Sequence, residues 1–545
     1  MKSLFSYPSI RLLSPWVLVL VCAAISVGAY LQTLSYPFVS DDIRYITQNT
    51  KLSGLHLPQL WLLFTEPYNA FSEFLPLRDL SYWFDITLFG LIPAAFRLHN
   101  IILYLFCLPL VYATTLELWR YFRPADAASA PWAAAAVTAL FALHPALVES
   151  VVWISGRKYV LPNLFAMLAL WFAVRAKKAQ GLSVPSAAAA LVAFVAMMFS
   201  KSSYVAVAPV IAVLWIIFWL DTRTPGRRGS QLLWPLAILL LAGLLIWVFI
   251  ARSIGTESPY FGIEAVTRAL AVLGWLARLA VSPEGRHFYY PVFEDPYLPG
   301  MVALGGAVLL AAAISAAMLL RRRSLEGFAL VVFLLLCIPY MQLIPYSAPS
   351  LVSDRFMALA VWPVLLLIVS LAWRLKTVPR VILLLAFALS LGFQTTTRTS
   401  DWSSEDSLYD VDMRAYPGYF MPVYAKICIQ VFDSPESYDR ALRMADNITD
   451  RDAKDIIVSL IKSDRVVFDS VSTGDPRDAI AQLQNVEFKL EHPPTNIKWN
   501  SPMHNLWRDS QDKLSNLWKY LVDNFPGNEL VHYNAVAHRY DFDNN

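Results

Sequence analysis

Residues 12–34 read LLSPWVLVLVCAAISVGAYLQTL, and one residue later the chain continues as YPFVSDDIRYITQN, residues 36–49. The first stretch has no charged residue, and at 1.5 Å per residue it is long enough to cross the roughly 30 Å hydrocarbon core of a bilayer. It exceeds the roughly 7–15-residue core of a signal peptide and is expected to be a retained first span. The second stretch places Asp41, Asp42 and Arg44 where that span surfaces. Two readings are open for the acids. Ser40 caps a helix whose first turn favours carboxylates, or one carboxylate is a general base for a hydroxyl, or the pair binds a divalent cation such as Mg or Mn.

Working outward, the whole chain repeats this pattern. Of 545 residues, 57% are hydrophobic and 16% charged, against about 25% charged in an ordinary soluble domain. Eleven stretches are expected to span a membrane: about 12–34, 98–118, 131–146, 159–175, 184–200, 204–220, 231–251, 299–320, 326–346, 356–373 and 378–395. Lys and Arg cluster at Lys2/Arg11, Arg120/Arg123, Arg175/Lys177/Lys178, Arg223/Arg227/Arg228, Arg321/Arg322/Arg323 and Arg374/Lys376/Arg380, all on one side of these eleven spans. Positive charge marks that side as cytoplasmic. The agreement requires residues 259–298 not to cross, with IEAVTRALAVLGWLARLAV (helix about 259–283) lying in the headgroup region.

From Asp401 onward the balance reverses, with 24 Asp and Glu against 15 Lys and Arg. Apolar residues there recur at three- and four-residue spacing with polar breaks, the pattern of short amphipathic helices. The expected fold class is therefore all-α: a polytopic membrane domain over residues 1–395 and a soluble helical domain over 396–545. Its helix pairs are similar to tetratricopeptide repeats, with the 34-residue consensus poorly kept. Cys22, Cys107 and Cys337 lie in apolar runs and Cys428 lies alone in the soluble part, so neither a disulfide framework nor a metal-thiolate site follows.

Three further stretches share the outer face with Asp41 and Asp42. ALHPALVESVVWISGRKYVLPN, residues 142–163, packs His144, Glu149, Arg157 and Lys158 between apolar runs; FSKSSYVAVAP carries Lys201; PYSAPSLVSDRFMAL carries Asp354 and Arg355. Each has an ordinary explanation. A His-Pro ends a helix, basic residues anchor at the interface, and a lysine snorkels to the headgroups. Together they suggest a site that takes an anionic lipid headgroup from the bilayer and a polar acceptor from water.

In this order the stretches resemble the GT-C superfamily of polytopic glycosyltransferases that use polyprenyl-phosphate-linked sugars. The nearest types are the transmembrane and tetratricopeptide-repeat O-mannosyltransferases and bacterial relatives that include pilin glycosyltransferases. FVSDDIRYITQN resembles the first-loop double-Asp motif, and PLRDLSYWFDITLFGLIPAAFRLHNIILYLF the block that follows it. LHPALVESVVWISGRKYVL, FSKSS and VSDRFMAL resemble the His-Pro…Glu…Trp-Ile…Arg, Ser-Lys-Glu and Ala-Glu-Arg-Tyr-Leu-Tyr elements. Ser202 stands where the family has Glu, Phe356 where it has Tyr, and the outer domain is short.

The resemblance implies a GT-C-like bundle and inverting transfer from the lipid phosphate to Ser/Thr of an exported protein, a pilin being one such acceptor. It implies Asp41 or Asp42 as base, His144, Glu149 and Arg78 at the acceptor or sugar, and Arg355, Lys201, Arg157 and Lys158 at the donor phosphate. The expected setting is a bacterial inner membrane with a cytoplasmic N-terminus and a periplasmic C-terminal domain. Nucleic acid is not expected as a partner. Glycosylation of a lipid or surface polysaccharide is the alternative acceptor. A transporter or flippase is the alternative class, but it calls for midplane polar residues and inverted repeats.

Overall fold

The computed structural model describes residues 14–68, 73–178, 181–221, 263–282, 286–292, 297–341, 343, 350–430, 432, 434–491, 502–528, 530–531 and 534–535. The chain is an all-α polytopic membrane protein. Its only described strands form a two-residue antiparallel ladder between Lys177–Lys178 and Gly181–Leu182. Two compact units divide at Ser404/Glu405, with a short segment beginning at Phe288 and another ending at Leu351 clustering with the second.

The first unit contains α1 (Pro15–Leu31), α2 (Pro76–Phe89), α3 (Pro93–Phe122), α4 (Ala130–Ala142), α5 (Val148–Val152), α6 (Arg157–Arg175) and α7 (Val184–Met198). It continues with α8 (Val207–Asp221), α9 (Ile263–Val281), α10 (Tyr297–Arg322), α11 (Leu325–Cys337), α12 (Met357–Ala372) and α13 (Thr377–Asp401). Proline in the first turn opens α1, α2, α3, α4 and α7, where its missing N–H costs no intrahelical bond. Six helices among the described residues are long and apolar enough to cross a membrane: Pro15–Ser35, Pro93–Phe122, Ser202–Asp221, Tyr297–Leu319, Asp354–Ala372 and Thr377–Asp401.

The eleven expected spans are thus only partly matched by helices of that length. Residues 131–146 belong to a pair, Pro124–Ala142 and Pro145–Val152, bent by 53°. The break falls at His144-Pro145, since proline disfavours helix in the residue before it. Val184–Met198 and Leu325–Tyr340 are apolar but shorter. Helix α6 begins and ends on arginine, and residues 231–251 lie outside the described residues.

Helix α9, expected to lie in the headgroup region, packs antiparallel on α10. A Cβ added at Gly274 would meet the Met301 carbonyl oxygen at 2.0 Å, and one at Gly305 would meet the Leu270 oxygen at 1.9 Å. Glycine lets the two backbones touch, the usual device for close helix pairs in membranes. Arg268 is buried in this packing.

The second unit holds α14 (Glu405–Ala415), α15 (Phe420–Cys428), α16 (Pro435–Asp446), α17 (Arg451–Thr473), α18 (Arg477–Glu491) and α19 (Pro502–Asn524). Asp450 caps α17 by accepting from the Ala453 N–H at 3.0 Å, and Gly474 ends it with φ of 75°, the left-handed cap that glycine adopts without a Cβ penalty. Val467, Leu483, Val486, Leu514, Trp518 and Leu521 form the core between α17, α18 and α19. The helices starting at residues 405, 435 and 477 are unevenly spaced, so a constant 34-residue repeat is not visible.

Candidate active site

The double-Asp loop is held from both sides by backbone contacts. The Arg97 guanidinium, fully buried, donates to the carbonyls of Tyr36 and Pro37, and to Val152 O at 3.1 Å. The Trp153 indole N–H donates to Val39 O at 3.3 Å. Ser40 then takes φ of 54°, a left-handed conformation uncommon outside glycine. Ser40 is therefore a turn residue and not the helix cap the sequence suggests; neither it nor Asp42 caps the short helical segment that follows.

This turn sends the neighbouring acids into opposite environments. Asp42 is fully buried. One of its oxygens accepts from the Ser155 N–H at 2.7 Å and the Ser155 hydroxyl at 2.6 Å, and the other from the Val39 N–H at 3.1 Å. Burial pushes its carboxyl up to about 6, against the hydrogen bonds from Ser155 and Val39 and the charge of Arg97. Asp41 stays 35% exposed, with one oxygen 3.8 Å from the Lys158 ammonium.

Lys158 leads into a charged cluster centred on Glu73, which the sequence reading does not single out. The Glu73 carboxylate accepts from the Tyr45 hydroxyl, from Arg78 at 3.0 Å and from Lys201 at 3.2 Å, and lies 3.7 Å from Lys158. Burial opposes its ionisation, but Lys158, Lys201 and Arg78 together hold the carboxyl well below the usual range. Arg78 is fully buried, paired with Asp79 at 2.6 Å, and sits 4.4 Å over the Tyr45 ring. A lone acid in a non-helical stretch carries no periodic signal. The available hint was its isolation in SEFLPLRD, five residues before the buried Arg78.

Trp153 joins this cluster to the third basic group. Lys158 lies 5.6 Å and Arg355 5.5 Å from its ring centre, distances at which cations are attracted to the indole face. Arg355 donates its backbone N–H to Glu149 at 2.9 Å and its guanidinium to the other Glu149 oxygen. Next to it, Asp354 is bridged by Arg286 at 3.2 Å and approached by Arg398 at 3.6 Å. Asp41, Arg78, Lys158, Lys201, Arg355 and Glu149 are thus linked through Glu73 and Trp153, with Glu149 turned inward and spent on Arg355.

Besides Asp42, two of the expected residues sit apart from that cluster. Arg157 is fully buried and donates to Asn100 at 2.7 Å and Phe96 O at 2.8 Å, with Asp85 2.5 Å away. His144 is fully buried; its Nδ1 accepts from the Ala146 N–H and its Nε2 faces Ala280 O, both at 3.3 Å. These side chains brace the turns on either side of α5. Among the described residues no three His, Cys, Asp or Glu side chains gather into a metal-binding group. Both Asp42 oxygens accept N–H or O–H bonds, while Asp41 faces Lys158, so the two acids have separate partners.

Over 157 residues the chain is 29% identical to Protein O-mannosyl-transferase TMTC2 of Mus musculus, and equally to that of Homo sapiens. The match takes in 28% of this chain and 18% of each relative, so the chain spans less than a fifth of the length of the curated relatives it matches. No family model matches, and no solved structure does.

Proposed function

We propose that this chain is an inverting glycosyltransferase that moves a sugar from a polyprenyl-phosphate lipid to Ser or Thr hydroxyls of an exported protein, such as a pilin. The observation that carries the proposal is a partly exposed carboxylate, Asp41, beside Lys158, which shares Glu73 with Lys201 and the Trp153 indole with Arg355. The local likeness to an O-mannosyl-transferase supports the reaction class.

In this reading the Asp41 carboxylate accepts the proton of the acceptor hydroxyl as its oxygen attacks the anomeric carbon. The bond from that carbon to the phosphate oxygen breaks on the opposite face, and the electron pair leaves with the lipid phosphate. Lys158, Lys201 and Arg355 stabilise the charge gathering there. Asp42 fixes the turn that presents Asp41, and the site faces the periplasmic side, opposite the Lys/Arg clusters.

The test is to incubate the protein, in lipid nanodiscs, with a panel of polyprenyl-phosphate sugars and a Ser/Thr-rich exported protein. Released polyprenyl phosphate and sugar on the acceptor should appear together with at least one donor. Release no faster than from Asp41→Asn with every donor would overturn the reading.

A further inference from the structure

Glu73 occupies the place where the proposed reaction needs an anion that is not part of the protein. Its carboxylate is surrounded by two ammonium groups, a guanidinium and a phenol: Lys201 at 3.2 Å, Lys158 at 3.7 Å, Arg78 at 3.0 Å, and the Tyr45 hydroxyl. Such donors make the short, charge-assisted bonds that bind phosphate oxygens. The cradle is not sealed, since the Glu73 side chain is 25% exposed against 0% for Arg78 and 8% for Lys158.

The charges around the cradle are already matched. Asp79 pairs Arg78 at 2.6 Å and Asp41 stands 3.8 Å from Lys158. With Glu73 in place, an entering phosphate would meet a carboxylate at contact distance, and like charges so close disfavour one another strongly. The parts also differ in how they are held. Arg78 and Lys158 belong to helices α2 and α6, whereas Glu73 lies in the non-helical residues before α2.

We infer that Glu73 is a built-in stand-in for a phosphate group, filling the cradle of Lys158, Lys201, Arg78 and Tyr45 until an entering phosphate displaces it. The inference rests on the proposed donor class and adds a step to it: the protein competes with its own ligand. A ligand whose site is free only a fraction of the time loses apparent affinity by that fraction. Glu73→Gln keeps the shape but removes the charge, so it weakens the competitor.

The experiment measures binding of inorganic phosphate and, separately, of undecaprenyl phosphate to wild-type, E73Q and D41N proteins in nanodiscs. E73Q should bind both probes on the order of tenfold or more tightly than wild type. D41N removes an equal charge near Lys158 without vacating the cradle, and should gain much less. If E73Q unfolds in the absence of ligand, the readout becomes the rise in Tm with added phosphate, which should exceed that of wild type.

Equal or weaker binding by E73Q would make Glu73 an organiser of the cations and overturn the inference. So would an equal gain in D41N, which would reduce the effect to net charge, or a failure of all three proteins to bind both inorganic phosphate and undecaprenyl phosphate. Tighter inorganic phosphate binding in E73Q with no undecaprenyl phosphate binding anywhere would keep the stand-in and remove the lipid donor.

Discussion

Asp41 and Asp42 are neighbours in sequence and opposites in environment, so replacing each with Asn tests different physics. Asp41→Asn removes a proton acceptor from a partly exposed position, and transfer should fall on the order of 10²-fold or more while Tm stays unchanged. Asp42→Asn keeps an acceptor for Ser155 but turns an N–H toward the Val39 N–H, a lost bond costing about 1–3 kcal/mol. It also removes a buried charge, so near pH 7 the two effects offset one another. Because burial raises the folded-state value of Asp42 from 3.8 to about 6, the folded protein binds more protons than the unfolded chain between those values. Wild-type stability therefore decreases as pH rises through that window, by about 3 kcal/mol in all. The Tm of wild type minus that of Asp42→Asn should become more positive as pH falls from 7 to 4; a constant difference would contradict the burial argument. The sequence shows two adjacent acids but not which one is buried, since the choice is made by Ser40 in the left-handed region and by Ser155, 113 positions away in the chain.

At the scale of elements, the turn from α5 to α6 sets the spacing of the site. Ser155, Arg157 and Lys158 all follow from it, and Gly156 is its tightest point. A Cβ there would stand 2.7 Å from the carbonyl oxygens of both Glu149 and Ser150. Gly156→Ala should therefore cost about 1–3 kcal/mol through overpacking and displace Ser155 from Asp42 and Lys158 from Glu73. Thermal unfolding together with the transfer assay checks this: a normal Tm and normal rate would mean that the turn has slack. Helices were legible because apolar runs and proline at their starts are local signals. The break at His144-Pro145 is likewise a local proline signal, but the lengthwise packing of α9 on α10 was not legible, because it is decided by partners distant in sequence. The partners of Arg157 and His144, expected at the donor phosphate and at the acceptor or sugar, were hidden for the same reason: Asn100 and Asp85 bind the first, and Ala280 faces the second.

For the whole molecule, the Lys/Arg clusters predict which face carries the site. Reporter fusions after Arg322 should read cytoplasmic, and those after Thr473 periplasmic or luminal; both on one side would separate the proposed site from its acceptor. A fusion at Ser282 decides the role of α9, because a crossing by that helix would change the span count on which the sidedness rests. The composition of the two halves was readable at this scale, whereas Glu73 was not, because three of its four partners, Tyr45, Lys158 and Lys201, come from distant parts of the chain. Trp153 has a similar place in the assembly: its N–H anchors the loop before Asp41, and its ring lies against Lys158 and Arg355. The proposed proton acceptor and phosphate cations are therefore mounted on a single post, so selection at position 153 cannot retune one without disturbing the other. Adaptation to a new donor or acceptor is expected to spare this indole and to accumulate around it.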